Sequence, residues 1–352
     1  MTVRRRPFGT LDDGTCVEAV DLAGEGITLT VITLGATIAS LRSPDRTGAM
    51  GEVVLAFDSL EAKALRPPYC GASIGRYANR IAGGRFDLDS ATCTLPRNEE
   101  PNCLHGGPLG FHGRMWTITD TGDARDPFVA MQLACPDGQD GFPGHLVATA
   151  RYALTGPGEL TIAYTATTDR PTVVNMTNHA YFNLTGDDRN TIVDHRVRIA
   201  ADAVLPIDAT RIPTGERRPV EGTDFDFRTP KTFADRIRDT SDPQLLQERG
   251  FDHTFALVDR VDGLQFAARV QDDTSGRSLA ILTTEPGLQL YSGALLQEET
   301  PGRRPAVIRR STGFCMEPQR FPDAPNRPDF PSARLDPGDT CRQVSVYQLK
   351  TT

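Results

Sequence analysis

Ile27-Thr-Leu-Thr-Val31 places an apolar side chain at every second residue. That is the period of a strand with one face in a core and the other toward solvent. After Val31 the phase slips by one, and Ile32, Leu34, Ala36 and Ile38 carry the alternation on. A β-bulge produces such a slip. The same period returns in Leu160-Thr-Ile-Ala-Tyr164, in His195-Arg-Val-Arg-Ile199 and in Cys341-Arg-Gln-Val-Ser-Val-Tyr347. Turn-forming clusters separate these runs: Gly156-Pro-Gly158, Gly186-Asp-Asp188 and Asp272-Asp-Thr-Ser-Gly276. Helical signals are short. One covers Ser59–Leu65; another covers Ser241–Arg249, with Ser241 as the expected N-cap and Gly250 as the stop.

Composition points the same way. The chain of 352 residues holds 32 Gly and 26 Pro, about one residue in six against an average of about one in eight. Both residues are poor in helix interiors. No low-complexity linker divides the chain, and no internal repeat is visible. The Pro-rich tract Phe321–Pro331 carries aromatics and charges and reads as a fixed loop. Residues 1–352 are therefore expected to form a single all-β, mostly antiparallel domain with a few short helices.

The formal net charge is −8, and an acidic surface repels nucleic acid. Three arginines near the N-terminus, Arg4, Arg5 and Arg6, are followed by no apolar stretch of the kind a signal peptide needs. No run is long enough to span a membrane. The seven cysteines are an odd number without a CxxC, which suits reduced thiols in the cytoplasm. Gly71-Ala-Ser-Ile-Gly75 satisfies a nucleophile-elbow pattern, but no helical pattern follows it, so Ser73 is expected to be structural. The six histidines form neither HxH nor HExxH, so no metal spacing is present.

Several segments crowd polar groups among aromatics: Ala78-Asn-Arg-Ile81, Asn102-Cys-Leu-His-Gly-Gly107, Val173–Asn183, Gly250-Phe-Asp-His-Thr-Phe255, Thr284–Tyr291 and Phe314–Asp323. Polar groups in apolar strands cost free energy unless paired. They are either internally satisfied networks or the convergent groups of a ligand site. Amide, imidazole and guanidinium groups beside aromatic faces are also the mix that binds sugars.

Taken in order, the segments resemble the aldose 1-epimerase (galactose mutarotase) family. The resemblance rests on Ile74-Gly-Arg-Tyr-Ala-Asn-Arg-Ile81, Asn102–Gly107, Pro136–Gly144, Asn175-Met-Thr-Asn-His-Ala-Tyr-Phe-Asn-Leu184, Leu205–Asp208, Ile212–Gly215, Gly250–His253 and Phe321–Asn326. It runs from near residue 27 to the C-terminus. It implies a large antiparallel β-sandwich with an open sugar-binding face. It also implies His179 as catalytic acid, Glu317 as catalytic base, and Asn79, Arg80, His105, Tyr181, Asp252 and Gln289 as sugar-binding residues. Two positions depart from the family pattern: Pro318, where Thr or another small residue is expected, and His145, where a carboxylate is common.

The implied reaction is anomer interconversion of a free hexose such as galactose or glucose. The C1 hydroxyl loses a proton and the ring oxygen gains one as the ring opens; rotation about C1–C2 presents the other carbonyl face, and closure reverses the transfers. An acid and a base suffice, so no metal or cofactor is expected. At neutral pH Glu is the natural base and His the natural acid. Asp252 is expected to raise the pKa of His179, and Gly106, Gly107 and Gly287 to let backbone approach the ligand. His253 is expected to be structural, His112 and Trp116 to brace a loop, and Glu285 to face solvent or join a network. The expected partner is a small aldose, with the protein a monomer or homodimer. A hexose-phosphate or other hemiacetal epimerase, a sugar-binding module without turnover and, more remotely, a glycoside hydrolase remain open at this point.

Overall fold

The computed structural model describes residues 2–123, 125–237, 240–258, 263–296, 300–301 and 307–352. Among them, strands dominate and the α-helices are short: Leu60–Ala64, Ala234–Ile237 and Pro243–Glu248. Three antiparallel sheets make the body. The largest has nine strands in the spatial order Thr117–Gly122, Phe128–Cys135, Leu146–Gly156, Glu159–Thr168, Cys341–Thr351, Arg277–Thr283, Gln265–Gln271, Arg196–Ile199, Lys231–Thr232. A five-stranded sheet runs in simple order from Thr2–Thr10 to Met50–Glu52. A second five-stranded sheet has the order Arg218–Pro219, Ala201–Val204, Asp252–Leu257, Gly287–Tyr291, Cys315–Gln319. One continuous core joins all three, with Val20 and Leu29, Tyr152 and Ile281, and Phe255 and Leu290 as examples from each. This is the expected antiparallel sandwich.

Local chemistry explains the strands. In Glu159–Thr168 the residues Leu160, Ile162, Tyr164 and Ala166 are buried while their neighbours are partly exposed. Gly158 closes the preceding hairpin at φ +66°, where a Cβ would sit 2.1 Å from the Leu349 carbonyl oxygen. Only glycine fits there. The slip after Val31 has a different origin from a bulge in its own strand. Ile27–Ile32 ends at a turn, and the extra residue, Ala39, lies in the partner Thr37–Pro44, where Thr30 pairs Ser40 and Val31 pairs Ile38. Leu34 and Ala36 belong to the connection, not to a continuing strand.

Both helices foreseen in the sequence form. Ser59 caps the first, accepting from the Ala62 amide at 3.1 Å. The cap of Pro243–Glu248 is Asp242 rather than Ser241, because the Asp242 carboxylate accepts from the Gln244 amide and Pro243 fills the first helical position. Arg249, not Gly250, takes the left-handed C-terminal conformation. The tract Phe321–Pro331 is a fixed loop: Phe321 and Phe330 are buried and pack edge to face at 5.2 Å.

Candidate active site

The period of two builds the floor of the site. Antiparallel register sets Asp252 opposite Tyr291 and Thr254 opposite Gln289. It sets Gln289 opposite Glu317 and Tyr291 opposite Cys315. Successive side chains alternate between faces, so these six share one face. The intervening Phe255, Leu288, Leu290 and Met316 enter the core from the other. Gln289 ties the floor together. Its Nε2 donates to Asp252 Oδ1 at 2.7 Å and its Oε1 accepts from the Thr254 hydroxyl. Pro318 is tolerated because Cys315–Gln319 is the last strand of its sheet, where a missing ladder donor costs little.

His179 reaches this floor from a neighbouring segment. Phe182 and Phe314 exchange both backbone hydrogen bonds, at 2.7 and 3.0 Å. Three residues back from Phe182 and three forward from Phe314, His179 meets Glu317, with Nε2 3.8 Å from Oε1. Backbone bonds with Ala72 and Gly71 fix the His179 main chain. Asn178 Nδ2 donates to the Gly71 carbonyl and the Tyr152 hydroxyl. The remaining ring nitrogen, Nδ1, lies 3.5 Å from the Cys315 sulfur.

A third group comes from the short ribbon of Arg80–Ile81 and Cys103–Leu104. Asn79 and His105 flank it, both left-handed at φ +65° and +53°, a region in which Asn and His are enriched among non-glycine residues. They bond reciprocally: the Asn79 amide donates to His105 Nδ1, and the His105 amide donates to the Asn79 carbonyl. With Nδ1 accepting, the ring proton of His105 sits on Nε2. Arg80 forms a two-pronged bond to Glu99 and turns NH1 to within 3.8 Å of Asp252. Glu99 continues to Arg211, and Arg211 to the buried Glu248.

These groups meet in an open cavity of about 590 Å³, within the size range of small-molecule sites. Asn79, Arg80, His105, His179, Tyr181, Asp252, Gln289 and Glu317 all line it. Three polar wall residues, Arg66, Tyr69 and Glu99, lie outside the segments marked in the sequence, and Tyr291 lies inside one without an assigned role. Tyr69 packs edge-on against His105 at 4.6 Å and lies 6.0 Å from the His179 ring. Its signal, a tyrosine after Pro67-Pro68, is weak. Glu99 and Tyr291 stand at the margins of segments already marked as polar, and only partner distances distinguish them.

Burial governs the electrostatics. It lowers the pKa of His179 to about 4. Burial, then the Asp252 charge, raises Glu317 well above the carboxylate range, with Arg80 acting against both. Burial holds His105 well below its ordinary value, so it is a neutral N–H donor. Asp252 is raised by burial against the pull of Arg80. The expected lift of His179 by Asp252 does not occur: desolvation of the ring dominates, and Asp252 is not among the groups that shift it. One oxygen of Glu317, Oε2, is buried with no hydrogen-bond partner.

Outside the cavity, Ser73 is structural. Its hydroxyl is buried against Tyr152, Tyr164 and the Ala36 carbonyl, which removes a cost of roughly 1–3 kcal/mol for an unpaired buried hydroxyl. His253 packs edge-on to Phe225 at 4.9 Å, and Trp116 donates to the Phe111 carbonyl. Glu285 is buried rather than solvent-facing. Gly106 serves packing, not ligand approach: a Cβ there would lie 2.2 Å from the Gly75 oxygen. Gly287 likewise faces Phe321 and Thr254. His179, Cys315 and Glu317 bring ligand atoms within 4.8 Å of one another. Yet Cys315 lies against Nδ1 and Glu317 against Nε2, so one ion on one ring nitrogen needs side-chain movement to reach both.

Residues 18–348 match the family model described as Aldose 1-epimerase. The galactose mutarotase of Rattus norvegicus is 43% identical over 99% of both chains. The aldose 1-epimerase of Escherichia coli K12 is 39% identical over 92% of both. The crystal structure of galactose 1-epimerase from Lactobacillus acidophilus superposes with a TM-score of 0.87 at 26% identity, covering 99% of each chain.

Proposed function

The chain belongs to the aldose 1-epimerase family and interconverts the anomers of hexoses; we propose that Glu317 and His179 carry the proton transfers and that free galactose or glucose is the substrate. Glu317 takes the proton of the C1 hydroxyl. The C1–ring-oxygen bond breaks, its electron pair passes to the ring oxygen, and that oxygen takes a proton from His179. Rotation about C1–C2 and the reverse transfers close the other anomer. No net proton or electron is consumed, so the cycle needs no cofactor. The observation that carries this reading is the facing pair itself, 3.8 Å apart at the bottom of a polar cavity.

The raised pKa of Glu317 makes its carboxylate a stronger base, and the lowered pKa of His179 makes its imidazolium a stronger acid. A sugar hydroxyl donating to the unpartnered Oε2 favours the carboxylate. Nε2–H of His105, Arg80 and the Asp252–Gln289 pair hold the remaining hydroxyls, while Tyr181 and Asn79 shape the wall.

A phosphorylated hexose is a poorer fit. Both wall guanidinia are already neutralised, Arg80 by Glu99 and Asp252 and Arg66 by Asp188. Glu99, Asp252 and Glu317 add carboxylates to the same wall. A sugar-binding module without turnover has no use for an acid facing a base. The seven free cysteines suit a cytoplasmic enzyme, and no described helix is long and apolar enough to cross a membrane.

Polarimetry tests the reading. Purified protein should accelerate the approach of α-D-galactose or α-D-glucose to anomeric equilibrium, and glucose 6-phosphate should compete weakly with glucose. A rate equal to buffer across several aldoses sinks it.

The pH profile is a second test. The empty pair holds one exchangeable proton: it gains a second near pH 4, where His179 titrates, and loses its last above the raised pKa of Glu317. kcat/KM should fall on the acid side toward pH 4, where His179 titrates, and fall again on the alkaline side beyond the raised pKa of Glu317. A profile that instead rises through about 6.5, as an unperturbed His would dictate, contradicts the assignment.

A further inference from the structure

We propose that the outer face of the nine-stranded sheet carries an anion site, in which Arg198 and Arg269 hold a phosphate group, either free or on a small metabolite. The site is separate from the sugar cavity, because none of its residues lines that cavity. It stands whatever the roles of Glu317 and His179.

Strand register sets up the site. Arg196–Ile199 and Gln265–Gln271 are neighbouring strands, and Arg198 lies directly opposite Arg269. Both arginines are exposed, while Val197, Ile199 and Val270 turn into the core. Directly opposed residues share a face with their Cβ atoms roughly 5 Å apart, and like charges there repel. Elsewhere the chain uses the same geometry for attraction: Arg42 lies directly opposite Glu52, and the two form an ion pair at 3.9 Å. Among the described residues, neither the Arg198 nor the Arg269 guanidinium has an ion pair or a hydrogen bond. The neighbouring carboxylate, Asp273, is committed. Its Oδ2 accepts from Arg196 Nε at 2.7 Å and its Oδ1 from Gln271 Nε2 at 3.0 Å. Three arginines against one aspartate leave this patch positive in a chain whose net charge is −8.

Shape agrees with charge. Arg196, Arg198, Pro230, Arg269, Gln271 and Asp273 surround a hollow of about 460 Å³, room for a phosphate and the small molecule that carries it. The Arg198 guanidinium lies over the Phe266 ring, 5.4 Å from its centre. The ring holds the guanidinium by its face and leaves the N–H edges for a ligand. An arginine fork matches two oxygens of a phosphate or a carboxylate. A carboxylate has only two oxygens and fits one fork. A phosphate has oxygens for both, so it can bridge the opposed pair and convert repulsion into attraction.

The test compares the intact native protein with Arg198→Gln and Arg269→Gln. Melting is followed in sodium phosphate and in sodium chloride at equal ionic strength, and inorganic phosphate binding by 31P NMR titration. Each substitution removes the repulsion, so in chloride both variants should melt at or above the native temperature. Phosphate should raise the native melting temperature more than theirs, and the variants cancel the general stabilising effect of phosphate on folded proteins. In the titration each variant should bind phosphate at least about 10-fold more weakly, the scale of one lost charge-assisted hydrogen bond. Anomer interconversion should stay at the native rate in both. Glucose 6-phosphate, read by the same native-minus-variant difference, separates the sources. A difference as large as that of phosphate or larger assigns the site to phosphorylated metabolites, a smaller one to the free ion, and either upholds it. An equal gain from phosphate in native and variants, or no 31P response in the native protein, overturns the proposal. Variants that melt below the native protein in chloride also overturn it, because the arginines are then structural.

Discussion

Glu317→Gln is expected to lower kcat by about 10³-fold, inside the range that a positioned acid or base supplies, with a fold indistinguishable from native by circular dichroism. Glutamine keeps the shape and can still receive a sugar hydroxyl, so KM should change little. What it lacks is the capacity to take the C1 proton. The same variant carries a stability prediction. In the folded protein Glu317 titrates well above the carboxylate range, chiefly through burial. Between the unfolded value and that raised value, the folded state binds a proton that the unfolded chain has released. Stability therefore falls with rising pH across that window, and glutamine has no such proton to bind. At neutral pH the variant should melt at or above the native temperature. Loss of activity together with loss of stability would argue instead that Glu317 is a structural carboxylate.

His179→Asn should be similarly severe, also about 10³-fold in kcat. Asparagine can still donate a hydrogen bond but cannot release a proton to the ring oxygen. Because acid and base act on one bond system, their losses should not add. The double variant is expected to be about as slow as either single one, the pattern of residues that work as a unit. Near-native turnover in either single variant would overturn the roles assigned here. A double variant slower by the product of the two effects would mean that each group works in a separate step.

The strands were legible because their period survives burial on one face. The runs at Leu160–Tyr164 and Cys341–Tyr347 lie within observed strands. The connection at Leu34–Ala36 was misread because apolar residues in a buried turn mimic alternation. All eight site residues named from the family resemblance line the same cavity, although their sequence positions run from Asn79 to Glu317. No periodicity would have assembled them. Glu99 and Tyr69 stayed hidden for a physical reason. Glu99 matters through a two-pronged bond to Arg80, and Tyr69 through a left-handed backbone that turns its ring onto three histidines. Neither depends on a pattern of residue types. The pKa inversion was equally invisible: ordinary values place Glu far below His, and only the depth of the pocket reverses them.

The strand Cys341–Thr351 sits in the middle of the nine-stranded sheet, between Glu159–Thr168 and Arg277–Thr283. Of the nine, it is the last to be synthesised. While the ribosome is still making residues 341–351, both neighbours present open edges to the same gap, a hazard for pairing with other chains. The sheet can close only after translation has passed its centre, and that closure joins segments far apart in sequence, a slow kind of contact to make. The cavity leans on all three sheets through their shared core. Order of synthesis and order of assembly therefore run against each other, and a nascent chain long enough to contain Glu317 still lacks the strand at the centre of its largest sheet.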